Sequence, residues 1–124
     1  MAGSPSVLLV EDDHFLSSLL RSRLEKEGVA VTQAFDGEEA LNTLKTLKPS
    51  VIVLDVIMPK VSGFDILERI ALDPRLHLIP VIAVSNLGQD SDMEKAKRLG
   101  AVDYLVKVKI PIDELVQKIK SLAK

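Results

Sequence analysis

Polar side chains suited to phosphoryl chemistry stand at the ends of four short apolar runs in this 124-residue sequence. Three carboxylates held close together would repel one another and raise their own pKa values unless a cation neutralised them. A bound Mg²⁺ would meet that need, because this hard ion prefers oxygen ligands and leaves positions for water or phosphate oxygens. In chain order, the run-ending residues are Glu11, Asp12, Asp55, Ser85 and Lys107.

Asp55 is the candidate nucleophile of this group. With Mg²⁺ and the Lys107 ammonium present, its carboxylate would stay ionised and could attack phosphorus, forming an aspartyl phosphate. The metal, Lys107 and Ser85 would then divide the phosphoryl oxygens among them and stabilise charge during in-line transfer. Taken singly, Asp12 could cap a helix, Lys107 could be a solvated side chain, and Ser85 could begin a turn. Their combination favours phosphoryl transfer.

The elements that must position these side chains follow from apolar periodicity, which predicts five strands alternating with five helices. Strands separated by helices indicate an α/β fold with a mainly parallel sheet covered on both faces, because parallel neighbours need helical crossovers. Functional groups in such sheets gather outside the carboxyl ends of the strands. The predicted strands are 6–10, 29–35, 51–54, 79–84 and 101–106, and the helices are 14–27, 38–48, 64–72, 88–99 and 111–122.

Composition narrows the class of protein. The sequence is 47% hydrophobic and 27% charged but only 3% aromatic, which predicts one ordinary globular domain with an aliphatic core. Its net charge of −2 and lack of a basic block argue against direct nucleic-acid binding. The sequence has no cysteine, no secretory signal and no apolar run long enough for a bilayer, so we expect a cytoplasmic protein without membrane insertion.

Taken together, these residues resemble the receiver domain of two-component response regulators, from Val7 to about Leu122. The resemblance implies a flavodoxin-like, doubly wound fold with five parallel strands in the order 2-1-3-4-5. It also implies a single receiver domain over residues 1–124, with a disordered lead at residues 1–5. The positions that carry the resemblance are Glu11-Asp12, Asp55 followed by Met58-Pro59 and Gly63, Ser85, and Tyr104 with Lys107.

The resemblance implies a phosphoacceptor rather than an enzyme, with only self-phosphorylation and autodephosphorylation chemistry. Asp55 resembles the residue that takes a phosphoryl group from the phosphohistidine of a sensor histidine kinase or phosphotransfer protein. Asp12, Asp55 and the backbone carbonyl of Ile57 match Mg²⁺-binding positions, and Glu11 matches the acid that helps through water. Asp13, one place beyond the acidic pair, is expected only to start the first helix.

The resemblance also assigns the transmission of the signal. Lys107 matches the lysine that contacts the phosphoryl group, and Ser85 matches the switch hydroxyl. Tyr104 matches the aromatic that turns inward when that hydroxyl moves, although a fixed core or surface tyrosine would fit the sequence equally well. The surface of the fourth helix, fifth strand and fifth helix would then change its preference for a downstream target or effector domain. A phosphorylation-dependent homodimer is a further partner that the resemblance allows.

Two positions depart from the family pattern and keep a rival hypothesis open. Val108 follows Lys107 where the family usually has proline, so the loop there is expected to run differently, and Asn86 replaces a residue that is usually small. Both departures favour a constitutive interaction module with little phosphorylation.

Two other classes of protein fit the sequence less well. A haloacid-dehalogenase-like phosphatase would need an acid two positions after Asp55, where this sequence has Ile57. A flavodoxin-like cofactor binder would need a Ser/Thr/Gly-rich loop after the first strand.

Overall fold

The computed structural model describes residues 5–58, 60–86 and 90–123. Within these ranges, five parallel strands form one sheet in the order β2-β1-β3-β4-β5, so the strand order implied by the resemblance is confirmed. The elements are β1 (Ser6–Val10), α1 (His14–Lys26), β2 (Ala30–Ala34), α2 (Gly37–Leu44), β3 (Val51–Asp55), α3 (Gly63–Leu72), β4 (Val81–Ser85), α4 (Asp90–Arg98), β5 (Asp103–Val106) and α5 (Ile112–Leu122).

The pleat of the strands divides the aliphatic core into two layers. Leu8, Leu54 and Ala83 point to the face covered by α2, α3 and α4. Val53 and Ile82 point to the opposite face, which α1 and α5 cover. Every residue of β3 and β4 is buried, as expected for central strands of a parallel sheet covered on both sides. The continuous apolar run before Asp55 therefore marks a central strand.

Local capping fixes where three of the helices begin. The side chains of Asp13, Asp36 and Ser62 accept hydrogen bonds of 2.9–3.1 Å from backbone N–H groups in the first turns of α1, α2 and α3. The expected helix-start role of Asp13 is thus confirmed. Across the described part of the chain, no helix combines the length and apolar character that crossing a membrane requires.

Several element boundaries differ from the sequence prediction. α2 ends at Leu44, well before Pro49. The chain tightens there, because Lys45 N donates to Asn42 O at 3.2 Å and so uses one of the last carbonyls of the helix. β5 begins at Asp103, later than predicted. The predicted start of α4 at Gly88, residues 1–4 of the predicted lead, and Pro59 lie outside the described residues.

Gly63 brings the start of α3 against the end of β3. A Cβ atom at this position would lie 2.4 Å from Val56 Cα and 2.5 Å from the backbone oxygen of Asp55. Gly63 N also donates a 3.2 Å hydrogen bond to Val56 O. The close approach requires glycine, and it closes the chain after Asp55 into a compact loop whose two ends meet at the phosphoacceptor candidate.

Candidate functional site

The carboxyl ends of β1, β3, β4 and β5 meet at one cleft of about 610 Å³. Backbone hydrogen bonds continue the sheet to this edge, because Lys107 N donates to Ser85 O at 2.8 Å and Val56 N donates to Val84 O at 3.1 Å. The strand ends are therefore held in register where their polar side chains begin. Among the residues that line the cleft are all five singled out from the sequence, Glu11, Asp12, Asp55, Ser85 and Lys107.

Lys107 bridges two buried carboxylates. Its Nζ atom lies 2.6 Å from Glu11 Oε1 and 2.8 Å from Asp55 Oδ2. The Lys107 side chain is 12% exposed, and those of Glu11 and Asp55 are 1% and 5% exposed. Although Val108 stands in place of proline and is itself exposed, the turn that follows Lys107 leaves the ammonium directed into the cleft.

The second oxygen of each bridged carboxylate is held by the chain that follows it. Glu11 Oε2 accepts a 3.0 Å hydrogen bond from Asp13 N, and Asp55 Oδ1 accepts a 2.9 Å hydrogen bond from Ile57 N. Each carboxylate thus has one oxygen on a backbone amide and the other on the shared ammonium. This arrangement fixes the orientation of both groups before any ligand binds.

The site carries more negative than positive charge. Burial raises the pKa of Glu11 to about 7, because desolvation outweighs the hydrogen bond from Lys107. Burial likewise raises the pKa of Asp55, against the opposing effect of Lys107. Burial tends to lower the pKa of Lys107 itself, but its hydrogen bonds to Asp55 and Glu11 prevail and raise that pKa. One cation shared by two buried anions leaves a site that favours gaining a proton or a further cation.

The raised pKa of Glu11 predicts how stability depends on pH without divalent cations. The folded chain keeps this proton up to about pH 7, whereas an unfolded chain releases it near the ordinary value of 4.5. The folded state therefore binds more protons between these values, and its stability falls as pH rises through them. We expect a loss on the order of 2 kcal/mol, measured by urea unfolding in a chelator at about pH 5 and pH 7.5.

The control for this pH dependence is Glu11→Gln, which keeps the shape of the side chain but cannot titrate. Its stability should change less over the same pH range. Equal pH dependence in the wild type and the variant would contradict the assignment of the buried proton to Glu11.

Three carboxylates offer oxygens to a metal ion. One ligand oxygen from each of Glu11, Asp12 and Asp55 lies within 4.8 Å of the others, and Asp12 is exposed at the mouth of the cleft. Mg²⁺ prefers oxygen ligands and is bound through one or two carboxylates with waters for the rest, so a close group of carboxylate oxygens fits its donor preference. Hard oxygen donors and excess negative charge both fit a divalent cation. The acidic cluster thus has the composition expected of a magnesium site.

Ser85 and Tyr104 lie on adjacent strands. Ser85 is fully buried, and the alternation of β4 places its side chain on the same face as that of Ala83. Ala83 is in register with Tyr104 on β5. Tyr104 is only 4% exposed and belongs to the apolar layer beneath α2, α3 and α4. The sequence left open whether Tyr104 faces the core or the surface, and in the structure its side chain faces the core.

Phe15 also lines the cleft, although no motif spacing points to it. Its side chain is 79% exposed at the start of α1, beside the acidic pair. The one feature of the sequence that could have pointed to Phe15 is its position outside the leucines of α1 that face the core. Exposed Ile57 and Val108 line the same cleft and add to its apolar rim. The charged centre is therefore bordered by aliphatic and aromatic surface.

Comparisons with known proteins agree with this geometry. A family model described as the response regulator receiver domain matches residues 7–120. The DNA-binding dual master transcriptional regulator RpaA of Synechocystis sp. is 36% identical over 118 residues, covering 95% of this chain and 48% of RpaA. The transcriptional regulatory protein CpxR of Escherichia coli is 41% identical over 118 residues, covering 94% of this chain and 48% of CpxR. The structure of the Francisella response regulator 1452 receiver domain matches with a TM-score of 0.86 at 33% identity, over 96% of each chain.

The fold and the acidic cleft define a receiver, and the chain belongs to the response regulator receiver domain family of two-component signalling systems. The chain spans about half the length of RpaA and CpxR.

Proposed function

We propose that Asp55 is the phosphoacceptor and that the phosphoryl group comes from the phosphohistidine of a sensor histidine kinase or phosphotransfer protein. The observation that carries this proposal is the Lys107 ammonium, which lies 2.8 Å from Asp55 Oδ2 and 2.6 Å from Glu11 Oε1 at the end of a buried strand. An ion triad of this kind fixes a nucleophile and a cation at the place where phosphoryl charge would develop.

Mg²⁺ is the proposed cofactor, held by Asp12, Asp55 and the backbone carbonyl of Ile57, with Glu11 acting through water. When bound, the ion would supply charge neutralisation at the phosphoryl oxygens. Its support is the group of three carboxylates whose oxygens lie within 4.8 Å of one another. These carboxylates hold more negative charge than Lys107 alone can neutralise.

The residues of the chain would divide the transfer step among them. A carboxylate oxygen of Asp55 forms the new bond to phosphorus as the donor nitrogen leaves, so Asp55 becomes an acyl phosphate. Ile57 N, already bonded to Asp55 Oδ1, keeps the carboxyl group aligned during attack. Lys107 stabilises charge on the transferred group, and the Ser85 hydroxyl donates to another phosphoryl oxygen.

The proposed output is a change at the surface of α4, β5 and α5, driven by Ser85 and Tyr104. The register that places Ala83 beside Tyr104, with Ser85 on the same face as Ala83, provides a short route from the phosphate to that surface. This surface would bind a downstream protein or effector domain, or a second copy of the chain. We further propose that residues 1–124 act as one cytoplasmic receiver domain that is a phosphoacceptor rather than a turnover enzyme.

Intact-protein mass after incubation with acetyl phosphate and Mg²⁺ tests the proposed function. We expect the mass to increase by one phosphoryl group in the presence of Mg²⁺, and no increase when a chelator replaces Mg²⁺. If no gain occurs with acetyl phosphate or with phosphohistidine donors, the phosphoacceptor proposal fails. Partner binding that is equal with and without donor would then favour the constitutive interaction module.

A further inference from the structure

The loop between β3 and α3, described at residues 56–58 and 60–62, contacts the first turn of α2. Here it is called the β3–α3 loop. Gly37 is the contact point, because a Cβ atom there would lie 2.6 Å from both the Cβ atom and the backbone oxygen of Val61, and 3.1 Å from Ile66 Cδ1. Part of this obstruction is backbone, so a side chain at residue 37 could be accommodated only if the loop moved. The absence of a side chain on Gly37 therefore sets how closely the loop approaches α2.

Lys60 adds a second contact between the same two segments. Its Nζ atom lies 3.3 Å from Asp36 Oδ2 and 3.8 Å from Glu38 Oε2. Lys60 has a φ of +68°, a backbone conformation that residues other than glycine rarely adopt. The surrounding contacts must therefore hold this residue in place. Asp36 is itself fixed, because its other oxygen caps α2 through Glu39 N.

The remaining supports of the loop come from its own ends. Ile57 N donates a hydrogen bond to Asp55 Oδ1, and Gly63 N donates a hydrogen bond to Val56 O. These contacts hold the base of the loop, whereas Asp36 and Gly37, at the start of α2, hold its outer part through Lys60 and Val61. Ile57 lies between the two sets of supports, so the position of its carbonyl depends on both.

We propose that the first turn of α2 positions the β3–α3 loop for Mg²⁺ binding, with Gly37, Lys60 and Val61 as positioning residues. This inference rests on the proposed function, in which the Ile57 carbonyl is a metal-binding position. Mg²⁺ demands near-ideal octahedral geometry at about 2.1 Å, so its affinity is sensitive to small ligand displacements. A Cβ on Gly37 would force Val61 back by about 0.8 Å to reach an ordinary contact.

Gly37→Ala should weaken Mg²⁺ binding about tenfold, the usual range for removing a support behind a metal ligand. The measurement is a titration of isotope-labelled protein with MgCl₂, followed by NMR amide shifts. Gly28→Ala is the control for a glycine substitution that destabilises without a steric clash, because Gly28 has a φ of +84° and a Cβ there would meet nothing within 4 Å. The control should lose stability through backbone strain while keeping wild-type Mg²⁺ affinity. Affinity within twofold of wild type in Gly37→Ala, or an equal loss in both variants, would overturn the inference.

Lys60→Met provides a second test and decides alone if Gly37→Ala does not fold. It keeps the strained backbone position of a non-glycine residue but removes the ion pairs to Asp36 and Glu38. Lys45→Met, at the opposite end of α2, makes the same change in net charge. Removing a positive charge should by itself strengthen cation binding in both variants. Mg²⁺ binding at least twofold weaker in Lys60→Met than in Lys45→Met would therefore support a role for Lys60 in positioning the loop. Equal affinities would refute it, whereas a wild type that binds no Mg²⁺ would remove the proposed function itself.

Discussion

Asp55→Asn should abolish phosphoryl uptake from acetyl phosphate. The amide has nearly the volume of the carboxyl group and keeps an oxygen for the 2.9 Å hydrogen bond from Ile57 N. It lacks the negative charge that makes Asp55 a nucleophile, so we expect at least a thousandfold slower reaction, measured as the rate of phosphoryl gain by intact mass. The matched control is Asp13→Asn, which retains an oxygen to cap α1 and should react at the wild-type rate.

The same variant has a second expected effect, on Glu11. Asp55→Asn removes one of the two buried anions that share Lys107, and the remaining Glu11–Lys107 pair is balanced in charge. The pKa of Glu11 should therefore fall below its value of about 7 in the wild type. Carboxyl carbon shifts followed by NMR over pH would measure it. An unchanged Glu11 titration would contradict the shared-cation description of the site.

Lys107→Met should slow phosphorylation by about a hundredfold or more, the usual cost of removing one preorganised group at a centre of developing charge. Methionine preserves most of the length and apolar stem of the side chain, but Glu11 and Asp55 lose their buried cation. The pKa of Glu11 should then rise further, because only the hydrogen bond from Asp13 N would still oppose desolvation and repulsion from Asp55.

The rate of phosphoryl gain by intact mass checks the effect of Lys107→Met. Lys109→Met, an exposed position in the same turn, controls for the change in net charge and should remain within about threefold of the wild type. A Lys107→Met protein that reacts as fast as Lys109→Met would show that the ammonium plays no part in the transfer.

The features predicted from sequence were those with strong local signals. The unbroken apolar run before Asp55 is typical of a strand buried on both faces, and β3 is such a strand at the centre of the sheet. Parallel topology brings strand carboxyl ends to one edge, so the meeting of Asp55, Ser85 and Lys107 could be expected from the sequence. Asp13 could be separated from the acidic pair because helix capping is a local interaction.

Other features depend on contacts between distant residues and left little trace in the sequence. Nothing in its spacing shows that Lys107 is shared between Glu11 and Asp55 rather than paired with one of them. The approach of Val61 to Gly37 likewise joins the β3–α3 loop to the start of α2, two segments far apart in the sequence. The early end of α2 was missed because its last turn tightens through short-range hydrogen bonds, which apolar periodicity does not report.

The most direct test of the central claim is to locate the phosphoryl group on the chain. Borohydride reduces an aspartyl phosphate to homoserine, so protein treated with acetyl phosphate and Mg²⁺ can be reduced, digested and read by peptide mass spectrometry. We predict homoserine at residue 55 only, and none when Mg²⁺ or the donor is omitted. Homoserine at Asp12 or at any other acid, with residue 55 unmodified, would contradict the assignment of Asp55 as the phosphoacceptor.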